Sequence, residues 1–252
     1  MTNIILCGCG GRMGKAIAAA LPSDVEIIAG VDINASALSA ALPFPVYENI
    51  SDFPGKADVI VDFSHHSALP SLLAYAKATK TPLVVATTGH TDEELALMKS
   101  SADEVALFHS GNFSIGINLL VNLARQAART LGVDFDIEII EKHHNKKLDA
   151  PSGTALMLAS AICEVRTDAC VKTGRAGREK REPSEIGIHA IRMGNIVGEH
   201  EVIVGTENQT ISLKHEAHSR ALFAEGAIAA AAFLCGQPAG LYNMQDLLKD
   251  PD

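Results

Sequence analysis

The segment Glu141-Lys142-His143-His144-Asn145-Lys146-Lys147-Leu148-Asp149-Ala150-Pro151-Ser152-Gly153-Thr154 carries the densest chemistry in the chain. A histidine's ordinary pKa near ~6.5 lets His143 change protonation close to neutrality. Lys147 can hold a carboxylate or supply a proton. Pro151 and Ser152 signal the start of a helix. The first N–H groups of that helix, at Gly153 and Thr154, can clasp a carboxylate together with the Thr154 hydroxyl. Side chains alternate along a strand, so His143 and His144 are expected to face opposite ways and to do different jobs. The plain alternative is a solvated, charged loop.

A second group lies at the N-terminus. Gly8-Cys9-Gly10-Gly11-Arg12-Met13-Gly14 follows a β-rich run and opens a helical one. Glycines there let the backbone turn tightly and approach a pyrophosphate seated on the helix N-terminus. The G-x-G-x-x-G spacing fails at Met13, whereas Gly8-x-x-Gly11-x-x-Gly14 fits. Asp32 ends the next strand, where a carboxylate accepts hydrogen bonds from the adenosine ribose hydroxyls. The combination points to a dinucleotide site rather than a plain strand–turn–helix connection. Asp32 would repel the 2′-phosphate of NADP, and Ile33 stands where an arginine could neutralise it, although Arg12 can reach a phosphate. NADH is therefore favoured, with NADPH also usable. Cys7 and Cys9 read as small apolar fillers.

The elements that must position these groups follow a βαβ rhythm. Strands are expected at Asn3–Gly8, Val25–Asp32, Ala57–Ser64, Pro82–Gly89 and Val105–His109. Helices are expected at Lys15–Leu21, Ser67–Thr79 and Asp92–Asp103, giving a doubly wound parallel sheet of α/β class with ligands at one strand edge. A long helix, Ile115–Leu131, precedes a change of rhythm. Phe135–His144 reads as a strand, Thr154–Val165 as a helix and Thr167–Ser184 as a polar loop. Ile186–Met193, His200–Thr206 and Thr210–Glu216 are three further strands without intervening helices. They imply a mixed or antiparallel sheet and a second, α+β domain. The Ala-rich helix Ala221–Leu234 is expected to return to the first domain. The domains are thus 1–114, completed by 220–252, and 115–219.

Composition bounds the function. The chain has 252 residues, 47% of them apolar and 20% charged, and a formal charge of −9. That balance argues against nucleic-acid binding, which needs a basic field. The longest apolar run, Ala227–Cys235, falls short of the roughly 20 residues of a membrane span. The N-terminus shows no basic leader. The five cysteines fit neither a disulfide framework nor a zinc spacing, and no metal site is expected. These features together suggest a cytoplasmic protein. Weaker signals are His65-His66, which could touch a nicotinamide ribose or simply precede a helix cap, and His109-Ser110 at a strand end. Arg175, Arg178, Lys180 and Arg181 read as a solvated basic loop. His189, His200, His215 and His218 read as packing or interface residues.

The segment Glu141-x-His143-His144-x-x-Lys147-x-Asp149-Ala150-Pro151-Ser152-Gly153-Thr154-Ala155 resembles the signature of the dihydrodipicolinate reductases, also called 4-hydroxy-tetrahydrodipicolinate reductases, of bacterial lysine and diaminopimelate synthesis. Similar in order along the chain are the Gly8–Gly14 loop, Ala86-Thr87-Thr88-Gly89, Asn112-Phe113-Ser114, Arg192-x-Gly194, Gly198-Glu199-His200, Ser219-Arg220 and Phe223-Ala224. The resemblance implies hydride transfer from NAD(P)H to a cyclic, unsaturated dicarboxylate. It implies His143 as proton donor or acceptor, Lys147 as a second proton donor, and His144, Gly153 and Thr154 as carboxylate ligands. Gly8, Cys9, Gly10, Gly11, Arg12, Met13, Asp32, Ala86, Thr87, Thr88, Ser110, Gly111, Asn112 and Phe113 would line the cofactor, and the assembly would be a homotetramer. Ile33 departs from the arginine many members carry, which bears on NADPH use. Rival expectations are an aspartate or homoserine dehydrogenase, and an NADH-sensing protein without turnover.

Overall fold

The computed structural model describes residues 1–249. In chain order the elements are β1 (Thr2–Cys7), α1 (Arg12–Ala20), β2 (Val25–Val31), α2 (Ala35–Leu38), β3 (Val46–Tyr47), β4 (Val59–Asp62), α3 (Leu69–Thr79), β5 (Leu83–Val85), α4 (Asp92–Ser101) and β6 (Ala106–His109). Then come α5 (Ile115–Leu131), β7 (Asp136–His143), α6 (Gly153–Cys163), β8 (Cys170–Thr173), β9 (Glu185–Arg192), β10 (Gly198–Gly205) and β11 (Thr210–Ala217). The chain closes with α7 (Ala221–Leu234), β12 (Gly240–Tyr242) and α8 (Met244–Leu247). Two compact units result: Met1–Phe113 with the stretch from Ala221 onward, and Ser114–Arg220.

The first unit is a seven-stranded sheet in the order β12-β6-β5-β4-β1-β2-β3, parallel at every pairing. Its strands are buried on both faces, and the period of two decides which core each residue joins. Ile4, Leu6, Val59 and Val61 pack with Ile17 of α1 and Ala227 and Ala230 of α7. Ile5, Cys7 and Ile60 pack on the other face with Leu69 and Leu73 of α3 and Met98 of α4. The chain runs from β1 outward to β3, then returns to the other flank of β1 with β4. The carboxyl ends of β1 and β4 are therefore the reversal point where doubly wound sheets bind ligands.

The second unit is a five-stranded sheet in the order β11-β10-β7-β9-β8. It is mixed, with β10 antiparallel to β7 and β11, and β9 parallel to β7 and β8. Helices α5 and α6 cover one face through Ile117, Val121, Leu158 and Ile162, packed on Ile137, Ile139, Ile188 and Val202. Along β7 the inward positions read Ile137, Ile139, Glu141, His143, all buried. The strand's core face thus turns from apolar to ionisable at its carboxyl end, beside the start of α6.

Helix α7 packs on the first sheet, and the alternating rhythm and the mixed second sheet match the sequence expectations. Three strands do not. β8 lies inside the expected loop Thr167–Ser184, and β3 and β12 are edge strands of two and three residues. Each is held by pairing with a neighbouring strand of its sheet, a signal that its own residue pattern does not contain. The basic loop is also more than a solvated face. Arg181 pairs with Asp136 (2.6 Å) and Glu138 (3.1 Å), and Arg175 pairs with Glu185. Arg166 is buried and donates to the carbonyls of Phe135 (2.9 Å) and Pro183 (3.1 Å). Among the described residues, no helix is long and apolar enough to cross a membrane.

Gly226 shows how closely α7 seats on the sheet: a Cβ there would overlap the Phe113 carbonyl oxygen. Replacing an interior helical glycine by alanine ordinarily gains about 1 kcal/mol. Here overpacking should reverse the sign, giving a net loss of about 1–3 kcal/mol. Thermal melting of Gly226→Ala should show a lowered Tm; an unchanged or raised Tm would contradict this packing.

Candidate active site

In the first unit, β1 ends at Cys7 and the chain turns at Gly8, whose φ of +73° and close approach to the Phe63 carbonyl exclude a side chain. Gly11 precedes α1 and offers no side chain to its amides, so the first-turn N–H groups remain available to an anion. Asp32, just past β2, accepts from the amides of Gly10 and Asn34, both at 3.0 Å. Gly8, Gly10, Gly11 and Asp32 line a cavity of about 1010 Å³ that also touches Ile33, Leu38, Ser64, His65, Ser71 and Tyr75. This volume is at the upper end of ordinary ligand pockets. The glycine cradle, bare helix end and ribose-reaching acid fit a dinucleotide.

The other expected cofactor residues fall in different places. Cys9 is buried, its Sγ beside Gly30, and burial followed by the charge of Asp32 pushes its thiol up to about 11. It fills space, as expected. Arg12 and Met13 open α1, and Met13 packs on the core. Ala86, Thr87 and Thr88 leave β5, and Ser110, Gly111, Asn112 and Phe113 leave β6, at the same carboxyl edge as Gly8. None of the seven lines the cavity beside the glycine loop. Thr87 Oγ1 lies 3.2 Å from Asp62 Oδ2 and 3.1 Å from His90 Nε2. The Phe113 ring packs against Phe63 and Phe108 in the core. His66 is paired with Glu94 at 2.9 Å, and His65 caps the turn before α3.

The second unit gathers most of the expected catalytic segment at the end of β7. Glu141 is completely buried. Its Oε2 lies 2.6 Å from His143 Nδ1 and 2.7 Å from Arg192, and its Oε1 accepts from Arg192 (2.7 Å) and the Ser152 amide (2.9 Å). Burial alone would raise the Glu141 carboxyl; the bonds from Arg192, His143 and Ser152 outweigh it and hold it below its usual range. Burial lowers His143; Glu141 opposes that shift, and Lys147 and Arg192 add to it. His200, expected as a packing residue, instead belongs to this cluster. Its ring stands edge-on to His143 at 5.1 Å, and its Nε2 is 3.0 Å from Ser152 Oγ. Burial and then the His143 charge push it down to about 3, so it is neutral.

The loop after β7 presents the remaining groups. His144 lies just past the strand, its amide donating to Ile196 (2.8 Å) and its Nδ1 buried without a partner among the described residues. Lys147 is half-buried, with Nζ 2.8 Å from Asp149. Ser152 caps α6 by accepting from Ala155 at 3.2 Å. Gly153 opens the helix, and the space where its side chain would stand is empty. Thr154 sits in the same first turn. Sequence reasoning marked Ser152 at the helix start but missed its amide bond to Glu141, and it missed the parts played by Glu141, Arg192 and His200. Their types were visible, but Arg192 and His200 come from other strands and meet β7 only through sheet pairing.

Comparison with known proteins gives a consistent outcome. Family models for the N-terminus and the C-terminus of dihydrodipicolinate reductase match residues 2–113 and 116–248. A protein of Caldanaerobacter subterraneus subsp. tengcongensis named 4-hydroxy-tetrahydrodipicolinate reductase is 48% identical over 253 residues, 99% of each chain. One of Clostridium novyi with the same name is 46% identical, again over 99% of each. The dipicolinate-bound dihydrodipicolinate reductase of Paenisporosarcina sp. TG-14 superposes with a TM-score of 0.82 at 27% identity, covering 98% of this chain and 100% of that one. An aspartate dehydrogenase of Thermotoga maritima shares the fold alone, with a TM-score of 0.53 at 13% identity. With both halves matched and nearly half of all positions identical to a full-length relative, the chain belongs to the dihydrodipicolinate reductase family.

Proposed function

We propose that the chain reduces 4-hydroxy-tetrahydrodipicolinate to tetrahydrodipicolinate with a nicotinamide dinucleotide, in diaminopimelate and lysine synthesis. The observation that carries this reading is the cluster at the end of β7, where Glu141 holds His143 and the Ser152 amide and Ser152 caps α6. In net terms a hydride and a proton enter the substrate and the 4-hydroxyl leaves as water. The cofactor, when bound, supplies the hydride. Gly8, Gly10, Gly11 and the first turn of α1 would hold its pyrophosphate, and Asp32 its adenosine ribose. Ala86–Thr88 and Ser110–Phe113, at the neighbouring strand ends, would serve its nicotinamide end.

The substrate's two carboxylates need two anion sites. One is the first turn of α6, where Gly153 leaves room for close approach and the Thr154 hydroxyl adds a donor. The other is the Lys147 ammonium with the His144 ring beside the strand end. His143 is the proton donor or acceptor, with Lys147 as the second donor. Burial disfavours the charged form of His143 in the free chain. A dianion bound beside it would restore protonation when the proton is needed. NADH is the favoured cofactor, because Asp32 is uncompensated at Ile33, which is 86% exposed. The enzyme would act in the cytoplasm as a homotetramer assembled through the second unit's sheet, whose outer face carries the exposed Ile191.

The direct test couples the protein to substrate freshly made from pyruvate and aspartate semialdehyde and follows NADH and NADPH absorbance. Turnover with either cofactor is expected; none with both would overturn the reading. Lys147→Ala should lower kcat by at least about 10²-fold while NADH still binds, as monitored by its fluorescence. Unchanged turnover would remove Lys147 from the chemistry. Ile33→Arg should lower the KM for NADPH on the order of tenfold, as one charge-assisted bond to a phosphate would, and should leave the KM for NADH nearly unchanged.

A further inference from the structure

Resting on the reductase reading above, we propose that Glu141 is the positioning residue of the proton donor, holding His143 in the tautomer with hydrogen on Nδ1 and leaving Nε2 as the nitrogen that exchanges a proton with substrate.

An ionised carboxylate only accepts hydrogen bonds, at about four lone-pair sites. Glu141 has four donors in place: two from Arg192, one from the Ser152 amide and one from His143. The 2.6 Å contact therefore requires a proton on His143 Nδ1. The opposite nitrogen, Nε2, stands beside Gly198, where any Cβ would come within 3.2 Å of it. The glycine keeps that side of the ring clear. In the transfer step the Nε2–H bond of the imidazolium breaks, its electron pair stays on nitrogen, and the proton passes to substrate. The Nδ1–H stays on His143, donated to Glu141 throughout, and water returns the Nε2 proton afterwards. Glu141 cannot take the Nδ1 proton itself while Arg192 grips both its oxygens.

The charged and titratable groups that face His143 are Glu141 on its own strand, Arg192 of β9, His200 of β10 and Lys147 of the following loop. Of these only Glu141 favours the imidazolium. Removing its charge lowers the His143 pKa, so activity that depends on the imidazolium is lost at a lower pH as pH rises.

The test has two arms on the full-length chain. Nitrogen-15 NMR of histidine-labelled protein at pH 8, with His143 assigned by its absence in His143→Gln, reads the tautomer without substrate. A protonated Nδ1 and a bare Nε2 are expected, and the reverse assignment would overturn the proposal. In Glu141→Gln the alkaline limb of the kcat–pH profile should move down by about 1–3 pH units. Its kcat at pH 8 should fall about 10²-fold, with the Kd for dipicolinate changed less than a few fold. A wild-type profile in a folded Glu141→Gln protein would also overturn it. Should that variant fail to fold, the wild-type NMR decides alone. Absence of turnover in the wild-type chain would instead overturn the reductase reading, from which the substrate-free tautomer measurement is independent.

Discussion

Taking a carboxylate out of water costs several kcal/mol unless its lone pairs are met by donors in good geometry. Glu141 is the most demanding such group in the second unit, completely buried with its charge retained. Its partners come from β7, from β9 and from the loop that enters α6, so satisfying one side chain aligns three stretches of chain. Arg192 extends the arrangement by donating to the Asp149 carbonyl at 2.6 Å, which ties the Lys147 loop to the same point. The strand's alternation makes this possible. The face that carries Ile137 and Ile139 into the core delivers Glu141 and His143 to the helix start two and four residues on.

The first unit solves a related problem with less charge. Asp62 ends β4 completely buried, and burial raises its carboxyl despite bonds from Ser64 and Thr87. Those bonds, 2.9 Å from the Ser64 amide and 3.2 Å from the Thr87 hydroxyl, knit the loops after β4 and β5 at the ligand edge. The edge after β1 carries an acid too, Asp32, which accepts from the Gly10 amide at 3.0 Å. That edge offers backbone dipoles from the glycine loop and α1, which suits an anionic ligand in a chain whose net charge is −9. Opposite charge is thus supplied locally, by helix ends and a few cations, within a chain that is acidic as a whole.

Much of this was legible in the residues. The alternation of apolar runs and helices specifies a parallel sheet because each buried strand must be apolar on both faces. The glycine spacing and Asp32 mark the ligand edge of the first sheet, where they line one cavity, because few other roles need those types in that order. The Glu141–Thr154 segment declares an anion site through its local charge. What stayed hidden depends on pairing between distant strands. Arg192 and His200 carry no local mark that separates them from surface or packing residues. β8 reads Cys170-Val171-Lys172-Thr173, with no alternation to reveal it, and is a strand because β9 lies beside it. Glu141 was visible as part of a motif, but its role is a matter of bond count and burial.

The Lys147–Asp149 pair shows how the loop after β7 can be both ordered and responsive. Asp149 is largely exposed, and its side chain is held below the usual carboxylate range chiefly by the Lys147 bond. An ion pair of that kind is worth little in water, about 0–1 kcal/mol, so exchanging Asp149 for a substrate carboxylate opposes binding only weakly. It still restrains the ammonium near the strand end, sparing part of the side-chain entropy that ordering a free lysine on binding would lose. Glu141 and Arg192 are the contrasting case, a fully buried carboxylate gripped by a partly exposed guanidinium, which nothing in a reaction cycle can exchange cheaply. The site therefore combines a fixed strut, which holds His143, with a loose pair beside it, which can let go.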